Sequence, residues 1–532
     1  MRRVLVASDT AYLVEEDDAE GARRLHAALA AETPAGVVEL VAGARTVLVR
    51  FRRGAGRGLR ELLETIPGRD PGAAAGSAVV ALTVVYDGED LAAVADLLGA
   101  SPDALATRHA AAEWRVAFAG FAPGFAYLVS DDPLFDVPRR ASPRTRVPAG
   151  SVALAGPYSG VYPRDSPGGW QLIGRTDAAL WDPDREPAAL LAPGASVRFL
   201  PARDVLAASA PDPGRTPRPG SARVVDMPGE RRVAPAVVVV EPGLQLLVED
   251  AGRAGRAAMG VSPSGAADRT ALHDANVAVG NDPGEAALEL LLGGAVLRFR
   301  ASGAAAIAGA PVEARLVRGD DVHPLGAGRP FAVADGDELR IGHAERGLRA
   351  YIAIRGGLAL APVLGSLATD LLGGIGPREL GGRGLRAGDV LPLRGPSAAR
   401  RLVEPWAAPA RTLPAPGEVA ELRVVLGPRA DRFARGSLRR LLADAWTVTP
   451  RSDRTGVRLE GAHPLVRTVE SELPSEGVAA GAVQVPSDGQ PVLFLADHPV
   501  TGGYPVVAAV VDDDLDLAGQ LPPGALVRFR LV

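Results

Sequence analysis

An echo between the two halves of the chain constrains its fold more than any single motif. LAPGASVRF (191–199) closes the first half, and LPPGALVRF (521–529) closes the chain. Upstream of these, VPAGSVALAG (147–156) and SGVYP (159–163) recur in the same order as SEGVAAGAVQVP (475–486) and TGGYP (501–505). One short match is chance, but three in register imply related structural units. The repeated segments are short apolar runs cut by glycine and proline, a pattern of mostly-β barrels and not of helical repeats. The 63 glycines and 46 prolines of the chain do the same throughout, punctuating strands without forming low-complexity tracts.

A chain of 532 residues exceeds what one core supports, so several domains are expected. Residues 1–74 read as a small α/β unit: strands at Val4 to Val6, Val37 to Val41 and Thr46 to Phe51, and helices at Asp18 to Ala31 and Gly58 to Ile66, suggest a ferredoxin-like sandwich. A β-barrel is expected over 75–202, a Pro, Gly, Ala and Arg-rich linker over 203–235, a first β-barrel of the second half over 236–403, a connector over 404–417 and a final barrel over 418–532.

Several function classes are excluded at this level. The net charge is −5 and no basic stripe carries interleaved aromatics, which argues against nucleic acid as a partner. No apolar run approaches the length of a membrane span, and the N-terminus turns acidic too early for a signal peptide, so the cytoplasm is the expected compartment. There is no cysteine, hence no thiolate nucleophile or cysteine metal site, and no metal ligand set is expected. All 58 basic residues are arginine. Without lysine the chain cannot carry biotin, form a Schiff base or complete a Walker P-loop, and any anion it grips is gripped by guanidinium.

The stretch from 472 to Pro505 concentrates site chemistry, because glycine lets a ligand approach the backbone and lets amide groups converge. Ser475, Gln484 and Thr501 are candidates to orient a small polar substrate, with Gly477, Gly502, Gly503 and Tyr504 around them; Glu476 and Asp497 are candidates to move a proton. Asp488 and Gly489 read as a turn. In WTVTPRSDRTGVRLEG, Arg454 and Arg458 are expected to face the same cleft as Ser475 and Glu476. In the segment 243–299, Ser264 and Asp268 stand at the start of a helix, where capping rivals a substrate role for Asp268. In the first half, FAGFAPGFAYL (118–128) cannot be a regular helix, and forms either a pocket-lining loop or the aromatic core of the barrel. Arg139, Arg140, Arg144 and Arg146 crowd together beyond it, and either bind an anion or form a solvated face. His109 lies on a helix begun by Ser101 and Pro102, and a lone helical histidine is more often structural than catalytic.

Residues 118–128, 147–156 and 159–174 closely resemble the B subunit of bacterial 5-oxoprolinase, of the kinase-inhibitor-like or allophanate hydrolase subunit 1 family. The second half, with GVSPSGAADR, SDRTGVRLEG, LPSEGVAAGAVQVP and VTGGYP, resembles the C subunit of the same enzyme, a biotin-dependent carboxyltransferase-like protein. The chain thus looks like a natural B–C fusion. The resemblance implies cyclophilin-like β-barrels, one in the first half and two in the second, behind the small α/β domain. It implies ATP-dependent opening of 5-oxoproline to glutamate with a separate A subunit, with ATP (and Mg with it) as cofactor and no biotin on this chain. It places His109 where the B-subunit pattern also has histidine, which makes it a candidate catalytic residue beside Glu476 and Asp497, and Phe121, Pro123, Gly124, Phe125, Arg144, Gly150 and Gln171 are the first-half candidates for substrate contact. Two other readings stay open: carboxyl transfer to urea or a similar small amide with biotin on another protein, and a non-catalytic regulator of a histidine kinase.

Overall fold

The computed structural model describes the chain except residues 1, 71–78, 141, 143, 204–234, 327, 404–410, 470 and 472. The expected linker over 203–235 and the first part of the connector over 404–417 lie almost wholly outside the described residues.

The chain opens with a four-stranded antiparallel sheet, Arg3–Ser8, Ala11–Glu15, Val37–Ala42 and Thr46–Phe51, in the spatial order first, second, fourth, third. Two helices, Ala19–Ala31 and Gly56–Thr65, cover one face, where Leu25, Leu29, Leu59 and Leu63 meet Val4, Val14, Val47 and Val49. Asp18 caps the first helix by accepting from the Gly21 amide. The strand Ala11–Glu15, absent from the sequence reading, is formed by a tight reversal at Asp9 and Thr10, so the helices follow hairpins instead of single strands. Because strand side chains alternate, the opposite face is apolar too. Its Ala7, Leu13, Val41 and Leu48 pack on Ala257, Ala479 and Val500 from the second half.

Seven strands make the next sheet, in the order Gln171–Arg175, Ser151–Ala155, Tyr158–Val161, Ala126–Val129, Trp114–Ala119, Ser196–Pro201 and Val80–Val84. A bridge between Val85 and Arg175 joins its two ends and curls it into a barrel. In the second half, a six-stranded and a five-stranded sheet enclose one core that includes Val237, Leu288, Leu297, Phe299 and Ile352. The last unit is a closed seven-stranded barrel.

The echo has a structural counterpart. LAPGASVRF and LPPGALVRF each run into a strand that pairs parallel with the first strand of its barrel: Ser196–Pro201 with Val80–Val84, and Leu526–Leu531 with Val419–Leu426. In both barrels a helix precedes a buried tryptophan whose indole N–H donates to a carbonyl on that helix, Trp114 to His109 at 2.9 Å and Trp446 to Leu441 at 3.2 Å. His109 therefore occupies the place held in the other barrel by a buried leucine. Among the described residues no helix is long and apolar enough to cross a membrane.

Candidate active site

The pairing of Glu476 with Gly502 and of Gly477 with Thr501 brings the two glycine loops of the last barrel side by side. Across from them, the strand Trp114–Ala119 reverses through 120–125 into Ala126–Val129. The reversal is tight enough that Phe121 takes a left-handed φ of 67°. Gly120 is required at this contact: a Cβ there would stand 2.1 Å from the Thr501 hydroxyl. The loop of one half is thus pressed against the loops of the other, and a cavity of about 140 Å³ opens between them.

Its first-half wall is aromatic: Phe121, Phe125, Tyr127, Tyr162 and Trp170. Phe125 holds Tyr162 and Trp170 edge-on, each at 5.3 Å between centroids, and Phe118 stacks behind Tyr127 at 4.3 Å. The second-half wall is polar and small: Ser475, Thr501, Gly502 and Gly503. Arg139 completes the lining. Its segment is tied down on either side, since Gln171 donates to the Pro138 carbonyl at 3.1 Å and the Arg140 amide to the Gly169 carbonyl at 2.9 Å.

Burial pushes the phenols of Tyr127, Tyr158 and Tyr162 above their ordinary range, Tyr158 to about 12, with Arg139 pulling each the other way. They are therefore protonated donors at neutral pH. The Ser475 and Thr501 hydroxyls lie close enough to Tyr127 to favour its ionised form. Thr501 Oγ1 nevertheless makes no hydrogen bond of ordinary geometry to the described residues and is buried. A neutral phenol, two hydroxyls, a guanidinium and an aromatic cradle can hold a small planar amide that bears a carboxylate.

The remaining candidates fall elsewhere. Arg454 does not face this cavity. It is 3% exposed and held by Asp497 at 2.9 Å, Glu289 at 2.6 Å and Glu249 at 3.4 Å. Asp497, expected to move a proton, is committed to Arg454 and to the Ser264 hydroxyl at 2.6 Å. Burial pushes Glu289 up, but Arg454 and Arg349 more than reverse it; Glu249, whose carboxylate accepts no hydrogen bond from the described residues, is pushed well above the usual range by burial. The cluster locks the strands Gln245–Glu249 and Ala287–Leu291 to the last barrel. Arg458, two positions along the next strand, is exposed, so it shares no cleft with Arg454.

Asp268 is buried as the cap of the helix Arg269–Ala278, accepting from the Ala271 amide, Arg411 and Gln520. His109, expected to be catalytic, does not reach the cavity: it is wholly buried among Trp114, Phe135 and Phe199 and hydrogen-bonded to Tyr86 and Ser159, and burial lowers its pKa to about 3. Glu476 is gripped by Arg429 at 2.9 Å and lines a neighbouring pocket; burial raises its pKa against the pull of Arg429. Gly477 packs on the first sheet, where a Cβ would meet that of Leu48 at 2.6 Å, and Gly150 on the Thr176 carbonyl at 2.2 Å. Pro123 packs against Gly373 and Gly124 against Trp181. Arg144 pairs with Asp90 and Glu89. Gln484 sits behind Gly502 and donates to the carbonyl of the half-exposed Tyr504.

The sequence points to Phe121, Phe125, Ser475, Thr501, Gly502 and Gly503, which the fold gathers, and to Arg139 only as one of four arginines that either bind an anion or form a solvated face; it does not point to Tyr127, Tyr162 or Trp170. Their signal was present: Tyr162 and Trp170 belong to the same glycine-rich stretch as Gln171, and Arg139 to the arginine cluster from which Arg144 was chosen.

The model of the carboxyltransferase domain, subdomain A and B, matches residues 259–531, and that of subdomain C and D matches residues 2–191. The chain is 36% identical over 296 residues to the C subunit of 5-oxoprolinase from Escherichia coli (strain K12), covering 55% of this chain and 89% of that one. It is 49% identical over 131 residues to the B subunit of 5-oxoprolinase from Escherichia coli O157:H7, covering 24% of this chain and 60% of that one. Against urea amidolyase of Lachancea kluyveri it is 34% identical over 312 residues, 55% of this chain but only 17% of that protein. The crystal structure of TTHA0988 superimposes over 100% of both chains with a TM-score of 0.80 at 37% identity.

Proposed function

The chain belongs to the carboxyltransferase-domain family that includes the B and C subunits of 5-oxoprolinase, and from that premise we propose that it is the fused B and C component of an ATP-dependent 5-oxoprolinase. In this reading it opens 5-oxoproline to glutamate together with an A-like partner. The observation that carries the reading is the cavity of about 140 Å³ shared by both halves, with Arg139 on one side and the Ser475 and Thr501 hydroxyls on the other. Its size suits one small ring, and its lining suits a ring with a carboxylate and an amide oxygen.

The roles follow from the chemistry of each wall. The guanidinium of Arg139 holds the substrate carboxylate. The aromatic rings cover the lactam face and exclude water. Tyr127, Ser475 and Thr501 direct hydrogen-bond donors at the lactam oxygen, where negative charge gathers as the amide is activated; each such donor is worth about 3 kcal/mol in related chemistry. ATP would supply the driving force: with a phosphoryl group on the lactam oxygen, water adds at the ring carbon, the carbon–nitrogen bond breaks as the nitrogen takes a proton, and the acyl phosphate left behind is hydrolysed by a second water to glutamate and phosphate.

The test is ATP hydrolysis and glutamate formation by the purified chain with its A-like partner on 5-oxoproline and, separately, loss of the carboxyl group from carboxybiotin to urea. Turnover of 5-oxoproline is expected, and Arg139→Ala should lower kcat/KM about ten- to a hundredfold, the loss of one charge-assisted contact. Turnover of urea alone would replace this reading with carboxyl transfer, the activity that the family description names.

A further inference from the structure

A second, smaller pocket of about 60 Å³ opens on the other side of Ser475, at the seam between the first sheet and the last barrel. Backbone geometry fixes it there. The Ala44 amide donates to the Ser475 carbonyl at 2.8 Å, and a Cβ on Gly43 would stand 2.7 Å from that same carbonyl. Three arginines, Arg45, Arg429 and Arg432, reach the pocket against two carboxylates, Glu15 and Glu476. Both carboxylates are taken by Arg429, Glu15 at 3.0 Å and Glu476 at 2.9 Å. Arg45 approaches Glu15 only to 3.6 Å, and Arg432 donates to the Ser471 carbonyl at 3.1 Å. Among the described residues lining the pocket, three guanidinium groups against two carboxylates thus leave one net positive charge.

Thr46 is the second observation. It is 2% exposed, lines the pocket, and its hydroxyl has no hydrogen-bond partner among the described residues. A buried hydroxyl left unpaired costs about 1 to 3 kcal/mol. Water would satisfy it, but water leaves the net positive charge of the lining uncompensated.

We propose that this pocket binds a small oxyanion, a phosphate or carboxylate group, between Arg45, Arg432 and the Thr46 hydroxyl. Ser475 lines both cavities, so a group bound here lies beside whatever occupies the aromatic one. The proposal stands on its own residues and does not require the ring to be 5-oxoproline.

Titration calorimetry of the full chain with inorganic phosphate, and separately with acetate, at constant ionic strength tests it. Saturable binding is expected, weakened at least about tenfold in Arg45→Ala/Arg432→Ala, which alters half-buried or exposed side chains, and more modestly in Thr46→Val. Arg139→Ala, in the other cavity, should keep phosphate binding within about twofold. Binding of phosphate but not acetate assigns a phosphoryl group, and equal binding of both assigns either oxyanion. No saturable heat with either ion, or equal affinity in the wild type and Arg45→Ala/Arg432→Ala, overturns the site. Loss of phosphate binding in Arg139→Ala alone also overturns it, by placing the ion in the aromatic cavity, and leaves the 5-oxoproline assay to be judged separately.

Discussion

Arg454 owes its behaviour to where its neighbours come from. Glu249, Glu289 and Asp497 converge on it from strands and loops far apart in the chain, and together they leave it 3% exposed. Removing one partner from such a buried network strands the others, at a cost of about 3 to 5 kcal/mol. Arg454→Ala should therefore lower the free energy of unfolding in urea by that amount, and any loss of activity would follow from lost fold. His109 makes a different prediction. Its folded pKa of about 3 lies below the ordinary 6.5, so the folded state refuses a proton that the unfolded state accepts. Above pH 6.5 the group costs nothing; between 6.5 and 3 stability falls with pH. At pH 5 the loss from this residue is about 2 kcal/mol, and His109→Leu, matching Leu441 of the other barrel, should make the pH dependence of urea unfolding shallower across that window.

At the level of elements, the short strand Glu476–Gly477 serves two surfaces at once. One edge pairs with Thr501–Gly502 and builds the wall of the aromatic cavity; the other side lies on the first sheet, where Gly477 meets Leu48 and Val41. Gly477→Val would force these apart at a cost of about 1 to 3 kcal/mol. Thermal unfolding should report the lower stability, and the 5-oxoproline turnover proposed above should fall although no group facing the cavity has changed. The glycine richness of this strand was legible in the sequence, but its reason was not: the constraint comes from a leucine more than four hundred positions away.

For the molecule as a whole, the first sheet holds the halves together. Its second apolar face packs on Ala257, Ala479 and Val500, and Glu15 reaches Arg429, Glu39 the Gly255 amide, and Arg53 Asp513. Residues 1–203 and 235–532 produced as separate polypeptides should therefore associate on a sizing column. Leu13→Asp, which puts a charge in the apolar seam, should abolish that association.

The amino-acid pattern by itself determined the strand-rich units, their internal kinship and the two glycine loops, because strand alternation, turn chemistry and repetition are written within a few residues of one another. It also determined that every cation is a guanidinium. Only the tertiary structure decided that Arg139 and Tyr127 face Ser475 and Thr501, that Arg454 and Asp497 form an internal lock, and that His109 fills an aromatic core. A charged or hydroxyl side chain takes its role from the group opposite it, and here those groups arrive from distant strands that only the packed barrels bring together.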